Sequence, residues 1–317
     1  MKRTVKWLFV CVFLLIFGAV VVFWTPDTDV VAMRAKYGGS PSQFVDLGGG
    51  LTVHLRDEGQ RDAPVVILLH GSNSFLQTWD GWTRRLKPTH RIIRFDFPGH
   101  GLTGAHAVGG YSHVAYAEIV DRIVAKLGIQ RFVIVGNSMG GNVAWTYAHQ
   151  HPEKLAGLVL VDASGQPEPD AQDLPLGFRI AQTPLLRDIM LHITPRSMVE
   201  EGLRKSVSNT AVVTPQNVDR YWELLRYPGN RQATIDRFTT PRDPVISGPP
   251  DAPVPTLIMW GADDRLIPVS SARWFKEQLP DARIIIYPNV GHLMMEEIPE
   301  KSSADLLNWL ASLPRPR

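Results

Sequence analysis

Short runs of β-branched and aliphatic residues recur along the chain, separated by stretches in which apolar positions return every three or four residues. The runs at 65–69, 132–135, 158–161, 257–260 and 284–287 are continuously apolar, and 91–95 is a weaker example. A strand buried on both faces has this character, because helices cover both sides of a parallel sheet. Ahead of them, 44–46 and 51–57 alternate in polarity about Gly48-Gly49-Gly50, which predicts an edge hairpin. Tyr116, Ile119, Val120, Ile123, Val124 and Leu127 share one helical face, with Ser112 placed as N-cap and Gly128 as stop. Further helices are predicted over 139–149, 271–278 and 301–310. Alternating strands and helices with short connections imply a parallel sheet with right-handed crossovers. From about 165 to 255 the strand pattern disappears. Prolines and amphipathic pieces at 178–193 and 218–225 predict a helical cap between two core strands, over the sheet edge where loops shape ligand pockets.

The N-terminus has a different pattern. Lys2, Arg3 and Lys6 precede an uncharged run of 18 residues from Trp7 to Trp24. As a helix it spans about 27 Å, enough for most of a hydrocarbon core of about 30 Å. A tryptophan at each end suits the membrane interface, and the preceding basic residues predict a cytoplasmic N-terminus with the remainder outside. A cleaved signal peptide is the competing reading and would give a secreted or periplasmic protein. The run ends Val-Val-Phe-Trp-Thr-Pro without a small-x-small site, which favours an uncleaved signal-anchor. The expected organisation is a basic stub at 1–6, a transmembrane segment at 7–24 and a polar tether at 25–42. The core follows at 43–164 and 256–313, with the cap at 165–255.

Composition narrows the chemistry. The chain is 44% apolar and 20% charged with a formal net charge of +2, so no basic stripe points to nucleic acid. Its single cysteine, Cys11, allows no intrachain disulfide. His149 and His151 stand two apart at the end of a predicted helix beside Pro152 and are expected to be surface residues rather than metal ligands.

Gly136-Asn137-Ser138-Met139-Gly140 follows the run at 132–135 and opens a helix. A serine on a tight strand-to-helix turn projects its hydroxyl from the sheet, and the close approach of the backbone there calls for glycine at Gly136 and Gly140. The helix N-terminus favours developing negative charge. A serine hydroxyl needs a base to remove its proton. Of ten histidines, His292 lies in a loop after the last predicted strand, at the same sheet edge as Ser138. The base needs a carboxylate to hold its tautomer. Asp264, in the loop after 257–260, is the first choice, Asp263 the reserve and Asp162 a third candidate. Backbone N–H donors for an oxyanion are expected from Met139 and from Ser72, with Asn73 as the alternative to Ser72. His70 is expected to brace that loop.

These residues together resemble the α/β-hydrolase superfamily, in its capped lipase and esterase-like branch. The resemblance runs from about Phe44 to Leu310. Its marks are His70-Gly71, Asp96-Phe97-Pro98-Gly99-His100-Gly101, Gly136-Asn137-Ser138-Met139-Gly140-Gly141, Trp260-Gly261 with Asp264 and Pro268, and Gly291-His292 with Glu297 and Pro299. It implies a mostly parallel eight-stranded sheet with helices on both faces and a cap inserted after the sixth strand. It also implies the order Ser138, Asp264, His292 for nucleophile, acid and base, and a structural turn at 96–101. Members with an aspartate or cysteine nucleophile are set aside by Ser138. Asn137-Ser138-Met139-Gly140-Gly141 and Asp263-Asp264-Arg265 are similar to carbon–carbon bond hydrolases of aromatic ring-cleavage products. The Ser72-Asn73-Ser74-Phe75 loop departs from the Gly-Pro-Gly type usual there.

The expected function is a membrane-anchored serine hydrolase of small to medium hydrophobic carboxylic esters, working without metal or organic cofactor. Phe178, Leu185, Leu186, Ile189, Met190 and Leu191 give the cap an apolar character suited to such a substrate. The alternatives are carbon–carbon cleavage of vinylogous diketones and a non-catalytic binding protein on the same fold.

Overall fold

Alternate residues of a strand face opposite sides of a sheet, and here both sides are apolar. Val66, Leu68, Val133 and Val135 pack into one buried cluster, while Ile67, Leu69 and Ile134 pack into another across the sheet. Full burial of each such side chain contributes about 1.5–3 kcal/mol, so a charge at Ile134 would disrupt the centre of the molecule. The computed structural model describes residues 7, 18, 23–106, 110–167, 183, 187–188, 191–240 and 243–314.

The strands are β1 (Ser42–Asp46), β2 (Thr52–Glu58), β3 (Val65–Leu69), β4 (Arg91–Phe95), β5 (Phe132–Asn137), β6 (Leu155–Val161), β7 (Thr256–Gly261) and β8 (Arg283–Tyr287). They form one eight-stranded sheet in the order β1-β2-β4-β3-β5-β6-β7-β8. β2 pairs antiparallel with β1 and β4, and the other pairings are parallel. The predicted hairpin, the parallel core and the cap inserted after β6 all stand in this topology.

Among the described residues the α-helices are α1 (Val30–Tyr37), α2 (Asp80–Leu86), α3 (His113–Lys126), α4 (Met139–Gln150), α5 (Arg196–Ser206), α6 (Pro215–Leu225), α7 (Asn230–Thr239), α8 (Ser270–Gln278), α9 (Met294–Glu297) and α10 (Pro299–Ser312). Ser112 caps α3 as expected, accepting the Ala115 N–H. α3, α4 and α8 cover one face of the sheet; α2 and α10 cover the other. Leu203 of α5 and Val218, Tyr221 and Leu224 of α6 join the second cluster, so these cap helices share the core's packing.

The 25–42 stretch, expected as a polar tether, instead holds α1 and is fastened to the cap. Thr25 N–H donates to His192 O at 2.8 Å, Arg231 Nη2 to Asp27 Oδ1 at 2.6 Å and Tyr37 Oη to Glu223 Oε2 at 2.6 Å. Trp24 stacks on His192 with centroids 4.6 Å apart. Local polarity concealed this, because the partners lie far away in the sequence. The apolar run at 7–24 lies outside the described residues apart from Trp7, Gly18, Phe23 and Trp24. Among the described residues no helix is long and apolar enough to cross a membrane. Of the apolar cap residues singled out above, only Leu191 is described.

β3 has β4 on one side and β5 on the other, so the chain moves outward from β3 and then crosses back. Such a reversal leaves a crevice beyond the carboxyl ends of the two strands, where ligands of open α/β sheets bind. The loops that follow β3 and β5 carry Ser72 and Ser138.

Candidate active site

Ser138 joins β5 to α4 with φ 56° and ψ −120°. A residue with a side chain adopts positive φ only where its surroundings hold it there. Here the Ser138 N–H donates to Val161 O at 3.1 Å, and its carbonyl accepts the N–H groups of Gly141, Asn142 and Ser164 at 2.9–3.2 Å. The serine is partly exposed between buried neighbours. The flanking glycines answer to close approach: a Cβ on Gly136 would stand 2.0 Å from Gly140 O, and one on Gly140 2.4 Å from Leu69 O. The unusual backbone angles fall on Ser138 itself.

The loop after β8 carries His292, and the loop after β7 carries Asp264. His292 Nδ1 lies 2.6 Å from Asp264 Oδ2, both side chains almost wholly buried. Asp264 Oδ1 accepts the N–H groups of Leu266 and Ile267 at 2.8 and 3.0 Å, so the carboxylate cannot rotate without losing three partners. This geometry gives the imidazole a fixed Nδ1–H and leaves Nε2 as the basic atom. The other two acids have different surroundings. Asp263 is exposed and accepts the Ser208 hydroxyl at 3.0 Å. Asp162 is buried, accepts Gly261 N–H through Oδ1 at 2.7 Å and has no partner for Oδ2. Burial, followed by the nearby Asp264 charge, raises its carboxyl well above the usual range.

The loop after β3 closes against the serine. A Cβ on Gly71 would come within 3.0 Å of Ser138 Cβ, and the Ser72 hydroxyl lies 4.0 Å from Met139 Sδ. Among the described residues, neither Ser72 N–H nor Met139 N–H donates to a backbone carbonyl. His70 is buried. Its Nε2 accepts the Phe97 N–H at 3.1 Å, so Nδ1 carries the proton and donates it to Gly71 O at 2.8 Å. The C=O and the following N–H of a trans peptide point in opposite directions, so this bond turns the Ser72 N–H away from the His70 ring. Desolvation pushes His70 down to about 4, which keeps that tautomer neutral.

Asp96, expected at a structural turn, is buried there. It accepts Leu76 N–H at 2.7 Å and Leu102 N–H at 2.8 Å and lies 2.6 Å from His54 Nδ1. His149 is occupied with backbone carbonyls of Trp145 and Gly248.

Four supporting residues were not recognised as such in the sequence. The Asn137 carboxamide donates to Val161 O at 3.2 Å and His292 O at 3.1 Å. Glu297, noted only as part of a motif, accepts the N–H groups of Gly291, Ser208 and Asn209 at 2.7–2.9 Å. Arg237 and Thr234, on α7, reach Asn73 from the cap. Asn137 was legible as part of the elbow but not as a bridge, and nothing local marks α7.

Comparisons with known proteins agree with the geometry at the level of family. The chain is 27% identical over 296 residues to 2-hydroxy-6-oxononadienedioate/2-hydroxy-6-oxononatrienedioate hydrolase of Pseudomonas sp, covering 88% of this chain and 100% of the relative. It is 27% identical over 258 residues to monoacylglycerol lipase abhd6-B of Xenopus laevis, covering 79% of this chain and 76% of that one. The solved structure of a membrane phospholipase A, described as a bacterial virulence factor, superposes with a TM-score of 0.71 at 25% identity over 98% of both chains. The alpha/beta hydrolase fold family matches residues 64–299, and the chain belongs to that family.

Proposed function

We propose that this hydrolase cleaves carboxylic esters of hydrophobic substrates by two-step acyl transfer at Ser138. The observation that carries the reading is the buried His292–Asp264 pair at the sheet edge that presents the strained Ser138. Ser138 Oγ attacks the ester carbonyl while His292 Nε2 takes its proton; Asp264 stabilises the imidazolium that results. The oxyanion is held by the N–H groups of Ser72 and Met139. His292 then protonates the leaving alcohol, and water attacks the acyl-enzyme with the same histidine as base.

Likeness to a monoacylglycerol lipase and to a membrane phospholipase A supports an acyl-lipid ester. An anchor at 7–24 with the catalytic domain outside the cytoplasm is part of this proposal and rests on the uncharged run from Trp7 to Trp24 behind Lys2, Arg3 and Lys6. The likeness to a dioate hydrolase over that enzyme's whole length favours a second reading, carbon–carbon cleavage of a vinylogous diketone.

The test is a fluorophosphonate label on the full-length protein, followed by a panel of p-nitrophenyl and glycerol esters beside a ring-cleavage diketone. A covalent adduct at Ser138, with ester turnover abolished in Ser138→Ala, is the expected result. Selective diketone turnover would establish the second reading, and an unlabelled folded protein would indicate a binding role.

A further inference from the structure

A guanidinium of the cap joins the loop after β3 to the turn at 96–101. Arg237 Nη2 donates to Asn73 Oδ1 at 3.1 Å, and Nη1 donates to His100 Nε2 at 2.7 Å. Thr234, one turn earlier on α7, donates its hydroxyl to the same Asn73 oxygen at 3.0 Å. Asn73 has φ 56° and directly follows Ser72. The His100 ring lies 5.0 Å from the His70 ring, and His70 holds Gly71 O. Ser72 is therefore held through both of its neighbours, the Asn73 side chain and the Gly71 carbonyl. On one side the grip is direct, at Asn73; on the other it passes through His100 and His70 to Gly71.

His100 accepts from Arg237 only as the neutral ring, with Nδ1–H donating to Pro98 O at 3.2 Å. Burial and then the Arg237 charge hold it in that form. Burial lowers the Arg237 guanidinium, and the Tyr116 and Tyr111 hydroxyls act in the opposite direction. Among the described residues Arg237 makes no ion pair with a carboxylate, and its charge reaches the His70 ring beside Gly71, where it disfavours protonation.

We propose that Arg237 is a positioning residue for the reaction: from the cap it fixes the Ser72 N–H for the oxyanion formed at Ser138, and its charge favours that oxyanion. This rests on the acyl-transfer reading. Preorganised donors act on the transition state more than on the bound substrate, so the effect belongs in kcat.

The experiment uses the full-length enzyme with Arg237→Met, Arg237→Lys, Asn73→Gly and the Arg237→Met/Asn73→Gly double variant. Ester kcat and KM, the rate of fluorophosphonate labelling and thermal unfolding are measured in parallel. Arg237→Met is expected to lower kcat about 10- to 100-fold with KM held within about threefold. Labelling of Ser138 should slow in step. Arg237→Lys should recover only part of the loss, because it restores charge without the fork. Asn73→Gly keeps the N–H and tolerates positive φ; it should lose a similar factor, and the double variant little more. An unchanged kcat with raised KM in Arg237→Met, or fully additive losses, would overturn the proposal. If Arg237→Met does not fold, wild-type kcat in Asn73→Gly overturns it instead. Failure of the wild type to label or turn over esters would refute the acyl-transfer reading itself. A labelled wild type with unaffected variants would refute only the role of Arg237.

Discussion

Asn137 Nδ2 donates to the carbonyl oxygen of His292 at 3.1 Å, tying the residue before the nucleophile to the backbone of the base. The same nitrogen also donates to Val161 O at 3.2 Å, and a Cβ on Gly71 would come within 3.0 Å of Asn137 Oδ1. One carboxamide thus touches the loops after β3 and β8 and the end of β6. Asn137→Ala leaves the buried His292 carbonyl without that donor, at about 1–3 kcal/mol, while Val161 O keeps the Ser138 N–H. Thermal unfolding should move down by several degrees, and kcat/KM should fall about tenfold as the histidine loop loosens. Wild-type values of both would show that the bridge is incidental.

The His292–Asp264 contact predicts a larger and more selective effect. Asp264→Asn keeps the shape of the side chain but presents either an amide donor or a neutral oxygen to Nδ1. The imidazole then loses its fixed tautomer and the charge that stabilises its protonated form. Ester kcat is expected to drop by about 10⁴-fold while the fold persists. Asp263→Asn should retain most activity, since Asp263 is exposed and bonds Ser208. Equal losses in the two variants, measured with one ester under saturating conditions, would contradict the assignment of the acid.

The different fates of these acids show what was legible in advance. Strands β3 and β5 to β8 are apolar runs that local sequence sufficed to find, and β4, with Arg91 and Arg94, gave the weaker signal. Ser138, Asp264 and His292 each follow one of those strands, and parallel strands put their carboxyl ends at one edge. The cap was harder. α7 buries Asn230, Arg231 and Thr234, and their partners include Gly101, Thr25 and Asn73. A polar residue buried by distant partners leaves no periodic apolar signal. α1 escaped for a similar reason: of its eight residues only Met33 is buried, and its hold on the cap is a set of polar contacts through Lys36 and Tyr37 to Glu223.

Burial of His70 has a consequence for acid stability. Its folded-state value of about 4 lies below the ordinary 6.5 because desolvation disfavours the charged ring. Between those values the unfolded chain binds more protons than the folded one, so stability rises with pH across the window. The contribution is complete above about pH 6.5 and is lost as pH falls toward about 4, on the order of 3 kcal/mol. Urea unfolding of the purified protein from pH 7.5 to 4.5 should show this decline. His70→Gln, which does not titrate, should flatten the decline by removing the His70 contribution. An identical slope in wild type and variant would mean that other groups dominate acid unfolding.

Glu297 offers the sharpest separation between positioning and chemistry. Its Oε1 accepts Gly291 N–H at 2.7 Å, and its Oε2 accepts Ser208 and Asn209 N–H at 2.9 and 2.8 Å. The carboxylate therefore clamps the residue before His292 to the chain leaving α5. His292 N–H, in turn, donates to Ser206 O at 2.8 Å. Burial raises the Glu297 carboxyl, and its hydrogen-bond partners in this clamp are backbone N–H groups. Glu297→Gln puts an amide NH2 against at least one of those N–H groups, so at least one buried donor loses its acceptor at about 1–3 kcal/mol. Thermal stability should fall, and kcat should fall about tenfold with KM little changed, because His292 is displaced while the substrate pocket is not. Glu297→Asp retains the charge but is one methylene short. It should recover stability only in part. If the glutamine variant were destabilised yet turned over ester at the full rate, the clamp would serve the fold alone and not the placement of the base.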